Sequence, residues 1–387
     1  MGQHMKKLAI ITTHPIQYNA PLFRLLANRK RIEVNVFYTW GQSKDTVFDA
    51  RFGIHRHWDV PLLEGYPHEF VANVSRHPDS NRFSGVNNPG LIRQLEREGY
   101  DAILVYRWSL YSHLRILRHR WKKARLFFRG DSIPGEEISG WKHFLRKRLL
   151  RWVYRNVSKA LTVGSANAAY YRWAGLSEHQ LLLAPHAVDN NFFQKDAATL
   201  EQKALEERRN IQIPDDAIVF LYAGKFYEVK QLDRLITAFR DCTEPGFRLI
   251  LVGNGKEEEQ LRRLAATDSR IHFMGFRNQS EMPWVYRMGD VFVLPSRSET
   301  WGLSVNEAMA CGRPALVSRN CGCAPELIVE GVTGFTFDAG NTQELTDQLR
   351  RFTDKEFVHS LGQQAHDHIA GFSLERVAAV IEGAVLN

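Results

Sequence analysis

Short apolar runs alternate with longer stretches of helical periodicity in the first half of the chain. Residues 8–12 and 101–105 are apolar enough to predict buried strands. After residue 20, leucines at 22, 25 and 26 form the apolar stripe of a helix, and Pro21 suits its first turn. Further strands are predicted over residues 125–128 and 159–163, and a helix over 141–156. Such alternation predicts a parallel sheet covered by helices.

The same alternation restarts after residue 214. Strands are predicted over residues 218–223, 247–252, 291–294 and 314–317, with helices between them. The polar run 185–214 is interpreted as the connection between two domains, and apolar residues after Ser373 predict a final helix. We therefore expect an N-terminal domain over residues 6–200, a C-terminal domain over 212–370 and a last helix within 371–387.

Length and composition agree with two domains. The chain has 387 residues, of which 44% are hydrophobic and 24% charged, so two cores of ordinary size are expected. We set residues 1–5 aside as an expression remnant and expect no signal peptide. No apolar run reaches the length of a membrane span. The four cysteines lack the spacing of a zinc site, and a cytoplasmic protein with reduced thiols is expected.

Two glycine-containing loops follow predicted strands of the second half. The first, residues 224–230, contains Gly224, Lys225 and Lys230, and the second is Gly253-Asn254-Gly255-Lys256. Glycine allows close backbone approach, lysine neutralises phosphate oxygens, and a helix N-terminus favours an anion. Because the carboxyl ends of parallel strands lie at one edge of the sheet, these loops predict a shared ligand site.

A third loop carries the strongest signal. Glu299 lies after a predicted strand, and Glu307 lies in the following helix. The amides of Trp301, Gly302 and Leu303 stand between them at the helix start, where they can meet a phosphate. Carboxylates on either side can accept hydrogen bonds from sugar and ribose hydroxyls.

The segment 295–314 resembles the signature of the family-4 retaining glycosyltransferases. That signature has two glutamates at this spacing and ends in an Ala-x-Gly-x-Pro turn, here Ala310-Cys311-Gly312-Arg313-Pro314. The resemblance extends over residues 218–340. It implies the GT-B fold, an α/β architecture of two Rossmann-like parallel-sheet domains that face each other across a cleft. It also implies that the last helix crosses back to the N-terminal domain.

The resemblance assigns the donor site residue by residue. Glu307 would hold the ribose, Glu299 the sugar hydroxyls, and Lys225 and Lys230 the diphosphate, with Lys225, Lys230 and Glu299 as catalytic groups. The segment around Phe276 would contact the base. No metal and no cofactor besides the nucleotide sugar is expected, because lysines and helix amides neutralise the diphosphate and no Asp-x-Asp pair stands in this half. The donor-binding residues are then Gly224, Asn254, Phe276, Glu299, Trp301, Gly302, Leu303 and Glu307.

The acceptor would bind to the N-terminal domain. The first strand leads into a loop with His14, Tyr18 and Asn19, where many family members have a glycine-rich turn; this variant is similar to some bacterial surface-polysaccharide transferases. Related enzymes often have a histidine after the strand that ends at Phe128. Here Arg129 and Asp131 stand there, and they are the candidate replacements.

Charge is distributed unevenly. Residues 1–210 carry 33 Lys and Arg against 19 Asp and Glu, whereas residues 211–387 carry 18 against 24. Within residues 115–159 there are 14 Lys and Arg against three acids, and the segment 141–155 mixes cations with aromatic residues. Docking on an anionic membrane surface, and a packed helix with a solvated basic face, are equally open interpretations. Nucleic-acid binding is less favoured, because no recognised module accompanies the charge.

The expected function is therefore retaining transfer of a sugar from a nucleotide diphosphate sugar to a glycan or lipid-linked acceptor in surface polysaccharide or glycolipid synthesis. UDP is favoured over GDP only by its frequency in the family. A nucleotide-sugar epimerase or another GT-B enzyme is one alternative, and a nonenzymatic basic protein that binds membranes or nucleic acid is another. A dinucleotide-dependent dehydrogenase would need a Gly-x-Gly-x-x-Gly loop, and the third glycine is missing after Gly253-Asn254-Gly255.

Overall fold

The computed structural model describes residues 5–40, 47–49, 54–56, 58–134 and 140–387. Four of the five residues set aside as an expression remnant, 1–4, lie outside the described residues. Within them the chain forms two compact units. The first contains residues 5–40, 61–134, 140–186 and 374–387, and the second contains 47–49, 54–56, 58–60 and 187–373.

The elements up to residue 186 alternate strands with helices. In chain order they are β1 (Lys7–Thr12), α1 (Ala20–Arg29), β2 (Glu33–Tyr38), β3 (Val47–Asp49), β4 (Ile54–Arg56), β5 (His68–Phe70), α2 (Leu91–Glu98), β6 (Ala102–Tyr106), α3 (Tyr111–Arg118), β7 (Arg125–Arg129), α4 (Trp141–Tyr154), β8 (Lys159–Thr162), α5 (Ser165–Trp173) and β9 (Leu181–Leu183).

The same alternation continues to the end of the chain. The elements are α6 (Asn190–Gln194), α7 (Ala197–Asn210), β10 (Ile218–Ala223), α8 (Leu232–Asp241), β11 (Phe247–Val252), α9 (Glu258–Ala265), β12 (Ile271–Met274), α10 (Met282–Arg287), β13 (Val291–Leu294), α11 (Leu303–Ala310), β14 (Ala315–Ser318), α12 (Ala324–Leu327), β15 (Gly334–Phe337), α13 (Thr342–Leu349), α14 (Lys355–Ile369) and α15 (Leu374–Leu386).

The first unit is built on a seven-stranded parallel sheet in the order β5-β2-β1-β6-β7-β8-β9. Residues 8–11 of β1 are wholly buried, as expected for a central parallel strand covered on both faces. The last helix, α15, packs against α1 in this unit. Its Glu382 is fully buried, and the carboxylate oxygens lie 2.9 Å from Nε of Arg29 and 3.2 Å from Nη1 of Arg31.

The second unit has a six-stranded parallel sheet in the order β12-β11-β10-β13-β14-β15. All six residues of β10 are buried. The chain builds outward from β10 through β11 and β12, then returns to the other side of β10 with β13. The topological switch point therefore lies between β10 and β13, where ligands bind in open parallel sheets. In the first sheet the switch point lies between β1 and β6.

The α/β fold class with two Rossmann-like parallel sheets is confirmed. The run from 185 to 214, interpreted as a connection, includes the change from the first unit to the second between residues 186 and 187, and it also contains α6 and α7. Arg208 of α7 is buried and donates hydrogen bonds from Nε to the Met288 carbonyl (2.7 Å) and from Nη2 to Asp290 (2.9 Å). The segment is polar because its exposed face is charged, while a few side chains anchor it to the second unit. Among the described residues, no helix is long and apolar enough to cross a bilayer.

Candidate functional site

The loops after β10 and β13 meet at the switch point of the second sheet. The Arg297 amide donates to the Val229 carbonyl at 2.8 Å and joins the two loops. Lys230 Nζ, from the first loop, donates to Glu299 Oε2, from the second, in an ion pair. Both side chains keep about a fifth of their surface exposed, with 20% for Lys230 and 22% for Glu299. Sequence reasoning assigned both residues to the donor site, and the fold brings them into contact.

The loop after β11 adjoins the loop after β10 through its backbone. The Phe226 amide donates to the Asn254 carbonyl at 2.9 Å. Gly253 has φ +134°, and a Cβ there would lie 1.9 Å from the Gly224 carbonyl oxygen, so only glycine fits. Within the described part of the chain, Asn254 Oδ1 is buried and accepts no hydrogen bond. It is therefore available to a ligand that donates one.

The start of α11 is set by Gly302, which has φ +105°. A Cβ at this position would lie 2.7 Å from Cδ2 of Leu294. Trp301 is 2% exposed, and its indole Nε1 donates to Asn306 Oδ1 at 2.8 Å. The Trp301 side chain therefore holds the loop against the helix. The contribution to ligand binding expected from Trp301, Gly302 and Leu303 then comes from backbone amides at the helix start.

Glu307 lies one turn into α11 and is 3% exposed. Its Oε2 accepts from the Tyr286 hydroxyl at 2.6 Å, and its Oε1 accepts from Gln279 Nε2 at 3.2 Å. Burial raises the pKa of the Glu307 carboxyl to about 7, although both hydrogen bonds act to lower it. A carboxyl with this pKa changes charge near neutral pH, and its two oxygens are already oriented by donors.

The remaining predicted donor residues border the same edge. Lys225 is partly exposed, and its carbonyl accepts from the Tyr222 hydroxyl at 2.9 Å. Burial, and then the charge of Glu299, raise the pKa of Tyr222. Phe276 follows β12, whose last residue, Met274, accepts from the Gly253 amide at 3.0 Å. The loops after β10, β11, β12 and β13 are therefore joined by backbone hydrogen bonds.

Tyr286 and Gln279 are the residues at this site that sequence reasoning missed. Tyr286 lies in α10 and Gln279 in the loop before it, far along the chain from Glu307. No local motif marks them, because their role depends on α10 packing beside α11.

The predicted acceptor-side residues lie at the carboxyl edge of the first sheet. The His14 ring meets the Trp40 ring edge-on, with 5.3 Å between centroids. The Trp40 amide donates to the Thr13 carbonyl at 2.9 Å, which joins the loops after β1 and β2. Tyr18 is half-buried, and Asn19 is the N-cap residue of α1, with a side chain that makes no capping hydrogen bond.

Arg129 and Asp131 occupy different environments. Arg129 is 5% exposed, and its Nη1 and Nη2 donate to the carbonyls of Ala184 (2.6 Å) and Pro185 (3.2 Å). Burial lowers the pKa of the guanidinium. Asp131 is exposed. Burial, and then the charge of Arg129, lower the pKa of His186 to about 3, so a neutral histidine lies near Arg129 although none follows β7 in the sequence.

No cluster of three or more His, Cys, Asp or Glu suited to a metal ion occurs in the part of the chain that the structure describes. The lysines and amides of the second sheet edge are cationic or hydrogen-bond-donating groups, which suit an anion such as a diphosphate.

Comparison with known proteins gives the same picture. Residues 203–368 match the family Glycosyl transferases group 1. The chain is 28% identical over 197 residues to N-acetyl-alpha-D-glucosaminyl L-malate synthase of Bacillus anthracis, which covers 49% of each protein. It is 30% identical over 224 residues to the sulfoquinovosyl transferase SQD2 of Arabidopsis thaliana, which covers 57% of this chain and 42% of that one. The match thus spans about half the length of these relatives or less.

Among solved structures, Anabaena Alr3699/HepE in complex with UDP and glucose superposes with a TM-score of 0.72. The two are 18% identical, and the superposition covers 99% of this chain and 100% of that one. This likeness shows the shared fold. The resemblance inferred from the sequence is confirmed: the chain has the GT-B fold and resembles the family-4 type of glycosyltransferase.

Proposed function

We propose that this protein is a retaining glycosyltransferase that transfers a sugar from a UDP-sugar to a glycan or lipid-linked acceptor. The observation that carries the proposal is the Lys230–Glu299 ion pair at the switch point of the second sheet, followed in the next helix by the buried Glu307 carboxyl. Group 1 glycosyltransferases match this part of the chain, and a neighbour of the same fold has been solved with UDP. UDP is therefore favoured over GDP.

In this proposal Glu307 accepts hydrogen bonds from the two ribose hydroxyls. The side chain is buried, and Tyr286 holds one of its oxygens, so the carboxylate is preorganised and a bound diol would replace water or Gln279. Hydrogen bonds to a charged carboxylate are stronger than those to a neutral acceptor. Because the ribose hydroxyls donate hydrogen bonds, ribose binding favours the ionised carboxylate. Since the pKa of Glu307 is raised to about 7, binding should be tightest above neutral pH.

Lys225 and Lys230 would bind the diphosphate and stabilise the negative charge that develops on it as the sugar leaves. The Lys230–Glu299 ion pair orients the ammonium group and leaves Glu299 beside it to accept hydrogen bonds from the sugar hydroxyls. Charge neutralisation by lysines and the α11 amides supports a reaction without a divalent metal.

Retention follows if the acceptor attacks from the face that the diphosphate leaves. The acceptor oxygen bonds to the anomeric carbon as its bond to the phosphate oxygen breaks. The acceptor proton passes to that departing oxygen, so no protein nucleophile is required. The carboxylates keep binding roles throughout.

The acceptor site is proposed at the carboxyl edge of the first sheet, around His14, Tyr18 and Asn19, with Arg129 at the end of β7 and Asp131 in the loop that follows. The His14–Trp40 pair offers aromatic surface and a polar nitrogen, which suit a sugar. A role in surface polysaccharide or glycolipid synthesis is part of the proposal. A cytoplasmic location is too, supported by four cysteines that are all buried and free.

A thermal-shift panel of UDP, GDP, ADP and NAD, followed by the matching nucleotide sugars, tests the donor. A ligand at one hundred times its Kd stabilises the folded state by about 2.7 kcal/mol. We expect a shift with UDP and UDP-sugars that persists in EDTA, and product NMR should show the donor's anomeric configuration. A shift with NAD alone, or inverted product, would refute the proposal.

A further inference from the structure

Helix α4 exposes an unusual number of large apolar side chains. Only three of its residues are buried: Leu150, Val153 and Tyr154. Five others are between 45% and 69% exposed. These are Trp141, Phe144, Leu145, Leu149 and Trp152.

Three of the exposed apolar side chains, Trp141, Leu145 and Trp152, form a stripe opposite the buried Leu150. At about 100° per residue, Leu145 and Trp152 fall within about 40° of Trp141 around the helix axis, and Leu150 falls about 180° away. The packed side is fixed to the first unit by the Trp173 indole, which donates to His143 Nε2 at 2.8 Å. The apolar stripe is therefore an outward face and not a second buried one.

Cations lie beside this stripe and also within it, since Arg148 and Arg155 fall within about 40° of Trp141 around the helix axis. The segment 141–155 contains no acidic residue. Within the described residues, none of its lysines or arginines makes a salt bridge. These cations are Lys142, Arg146, Lys147, Arg148, Arg151 and Arg155.

Helix α3 adds to the same surface. Arg118 donates from Nη1 to the Trp152 carbonyl at 2.6 Å, and its guanidinium lies 4.6 Å from the centroid of the Trp152 ring. Burial, and then the charges of Arg155 and Arg120, lower the pKa of Arg118. Positive charge thus accumulates here without local acidic compensation.

We propose that the outward face of α4 docks on an anionic lipid surface. In this arrangement the helix lies in the membrane–water interface. Trp141, Leu145 and Trp152 insert at the boundary between headgroups and acyl chains, and the neighbouring cations contact lipid phosphates. Tryptophan prefers that boundary, and basic side chains are attracted to anionic headgroups. At about 1.5 Å per residue, fourteen residues span about 21 Å, too short to cross a bilayer.

Charge and apolarity together select this partner. A solvated basic face would not expose five large apolar side chains on one helix, and patches of this kind mark interaction sites. A nucleic-acid surface would use the cations but not an aliphatic and aromatic stripe of this kind. The surface belongs to the first unit, while the donor residues belong to the second. Lipid docking is therefore independent of the transferase activity, and only its purpose, access to a lipid-linked acceptor, rests on the proposed function.

Cosedimentation of the whole protein with vesicles tests the proposal. The vesicles are phosphatidylcholine alone or phosphatidylcholine with phosphatidylglycerol, and tryptophan fluorescence is followed in parallel. The test variant combines Trp141→Gln and Leu145→Gln, two of the most exposed positions on the face. The control is Phe357→Gln, an exposed aromatic residue in the second unit. Thermal unfolding and the UDP shift verify that both variants are folded.

We expect the wild-type protein and the Phe357→Gln control to bind phosphatidylglycerol vesicles, with a blue shift and loss at high salt. The affinity of the double variant for these vesicles should be lower by at least about tenfold, because it loses apolar area that the membrane buries. Absence of wild-type binding, or equal binding by the double variant, would overturn the proposal. The proposal would also be overturned if the wild-type protein bound a DNA oligonucleotide more tightly than the vesicles. It would equally be overturned if the wild-type protein were a dimer and the double variant a monomer. If UDP raises the unfolding temperature of the variant as much as that of the wild-type protein, a loss of vesicle binding does not reflect a defect in the proposed donor site.

Discussion

The Glu307 carboxyl is held between two opposing influences. Burial favours its neutral form, whereas the Tyr286 and Gln279 donors favour the carboxylate. Burial dominates, so the folded-state pKa is about 7, above the ordinary 4.5. The neutral acid is thus the form that the unliganded fold stabilises, and the ionised form is the one that a ribose diol would stabilise.

Stability should fall with rising pH because of this group. Since the pKa is raised on folding, its stabilising contribution is complete below about pH 4.5 and is lost as pH rises to about 7. Glu307→Gln should remove up to about 3 kcal/mol of that decline. Urea unfolding of both proteins between pH 4.5 and 8 measures it. Parallel pH profiles for the two proteins would show that Glu307 does not titrate in this range.

Tyr286 should act on Glu307 and not only on packing. Tyr286→Phe keeps the ring but removes the donor, so the Glu307 pKa should rise further and UDP affinity should reach its plateau at higher pH. Titrating UDP binding against pH gives the midpoint in each protein. A uniform loss of affinity with an unmoved midpoint would mean that Tyr286 is merely structural.

Lys230 should contribute most of its effect through charge. Lys230→Met should weaken UDP binding about tenfold to one hundredfold, as expected for a charge-assisted hydrogen bond to phosphate. Lys230→Arg should retain most of the affinity. Lys195→Met, at an exposed position, is the matched control. Equal affinity in Lys230→Met and Lys195→Met would remove Lys230 from the site.

The sequence predicts that Lys230 and Glu299 lie at one sheet edge, and the structure brings these two into contact, because both loops follow parallel strands. It does not predict Tyr286 or Gln279, whose contacts with Glu307 depend on the packing of α10 and α11. For Trp301 the sequence predicts the position at the site but not the role of the side chain. Its position in the motif is informative, yet its indole is committed to Asn306.

Among the elements, strands with continuous apolar runs are the predictable ones. The predicted bounds of β10, β11 and β13 agree with the structure. The pattern does not predict β2 or β12, because Glu33 and Asn35 interrupt the first and residues 271–273 of the second are only half-buried. Helices α6 and α7 escape prediction because few of their side chains are buried.

Helical glycines in α14 and α15 should respond oppositely to alanine. A Cβ at Gly362 would lie 2.3 Å from the Gly312 carbonyl oxygen, where α14 packs on the turn after α11. A Cβ at Gly383 in α15 would meet nothing within 4 Å. Gly362→Ala should cost about 1–3 kcal/mol, and Gly383→Ala should add about 0.5–1 kcal/mol. Chemical denaturation measures both, and destabilisation by both would contradict the packing described.

At the scale of the whole molecule, the chain ends in the unit where it began. Helix α15 packs on α1, and the Arg125 guanidinium donates to the Val385 carbonyl. The charge of Glu382 is wholly buried and depends on Arg29 and Arg31. Such an arrangement fixes the position of the last helix, since a buried carboxylate without a partner is strongly unfavourable.

Arg29→Met should therefore destabilise the first unit by about 2–3 kcal/mol. This is at the low end for a broken buried ion pair because Arg29 is partly exposed and solvent screens its charge. Arg31→Met should cost less, since 54% of the Arg31 side chain is exposed. Thermal unfolding at neutral pH compares them. Equal and negligible losses would show that Glu382 does not need its cations.

In the proposed function the two units bind different ligands, and this difference follows from the side chains at the two sheet edges. The second sheet presents lysines, helix amides and a buried carboxyl, which suit a nucleotide diphosphate. The first presents aromatic and polar loops after β1 and β2. Two glycine-rich loops and one glutamate pair therefore carry most of the functional information, although they make up a small part of the chain.

The most direct measurement is a calorimetric titration of UDP and of 2′,3′-dideoxy-UDP into the wild-type protein and Glu307→Gln. The wild-type protein should bind UDP at least about tenfold more tightly than the dideoxy analogue, because the ribose hydroxyls donate to a charged carboxylate. Glu307→Gln should lose most of that preference while still binding the diphosphate. An equal preference for UDP in both proteins would contradict the assignment of Glu307, and failure of the wild-type protein to bind UDP at all would contradict the UDP donor site.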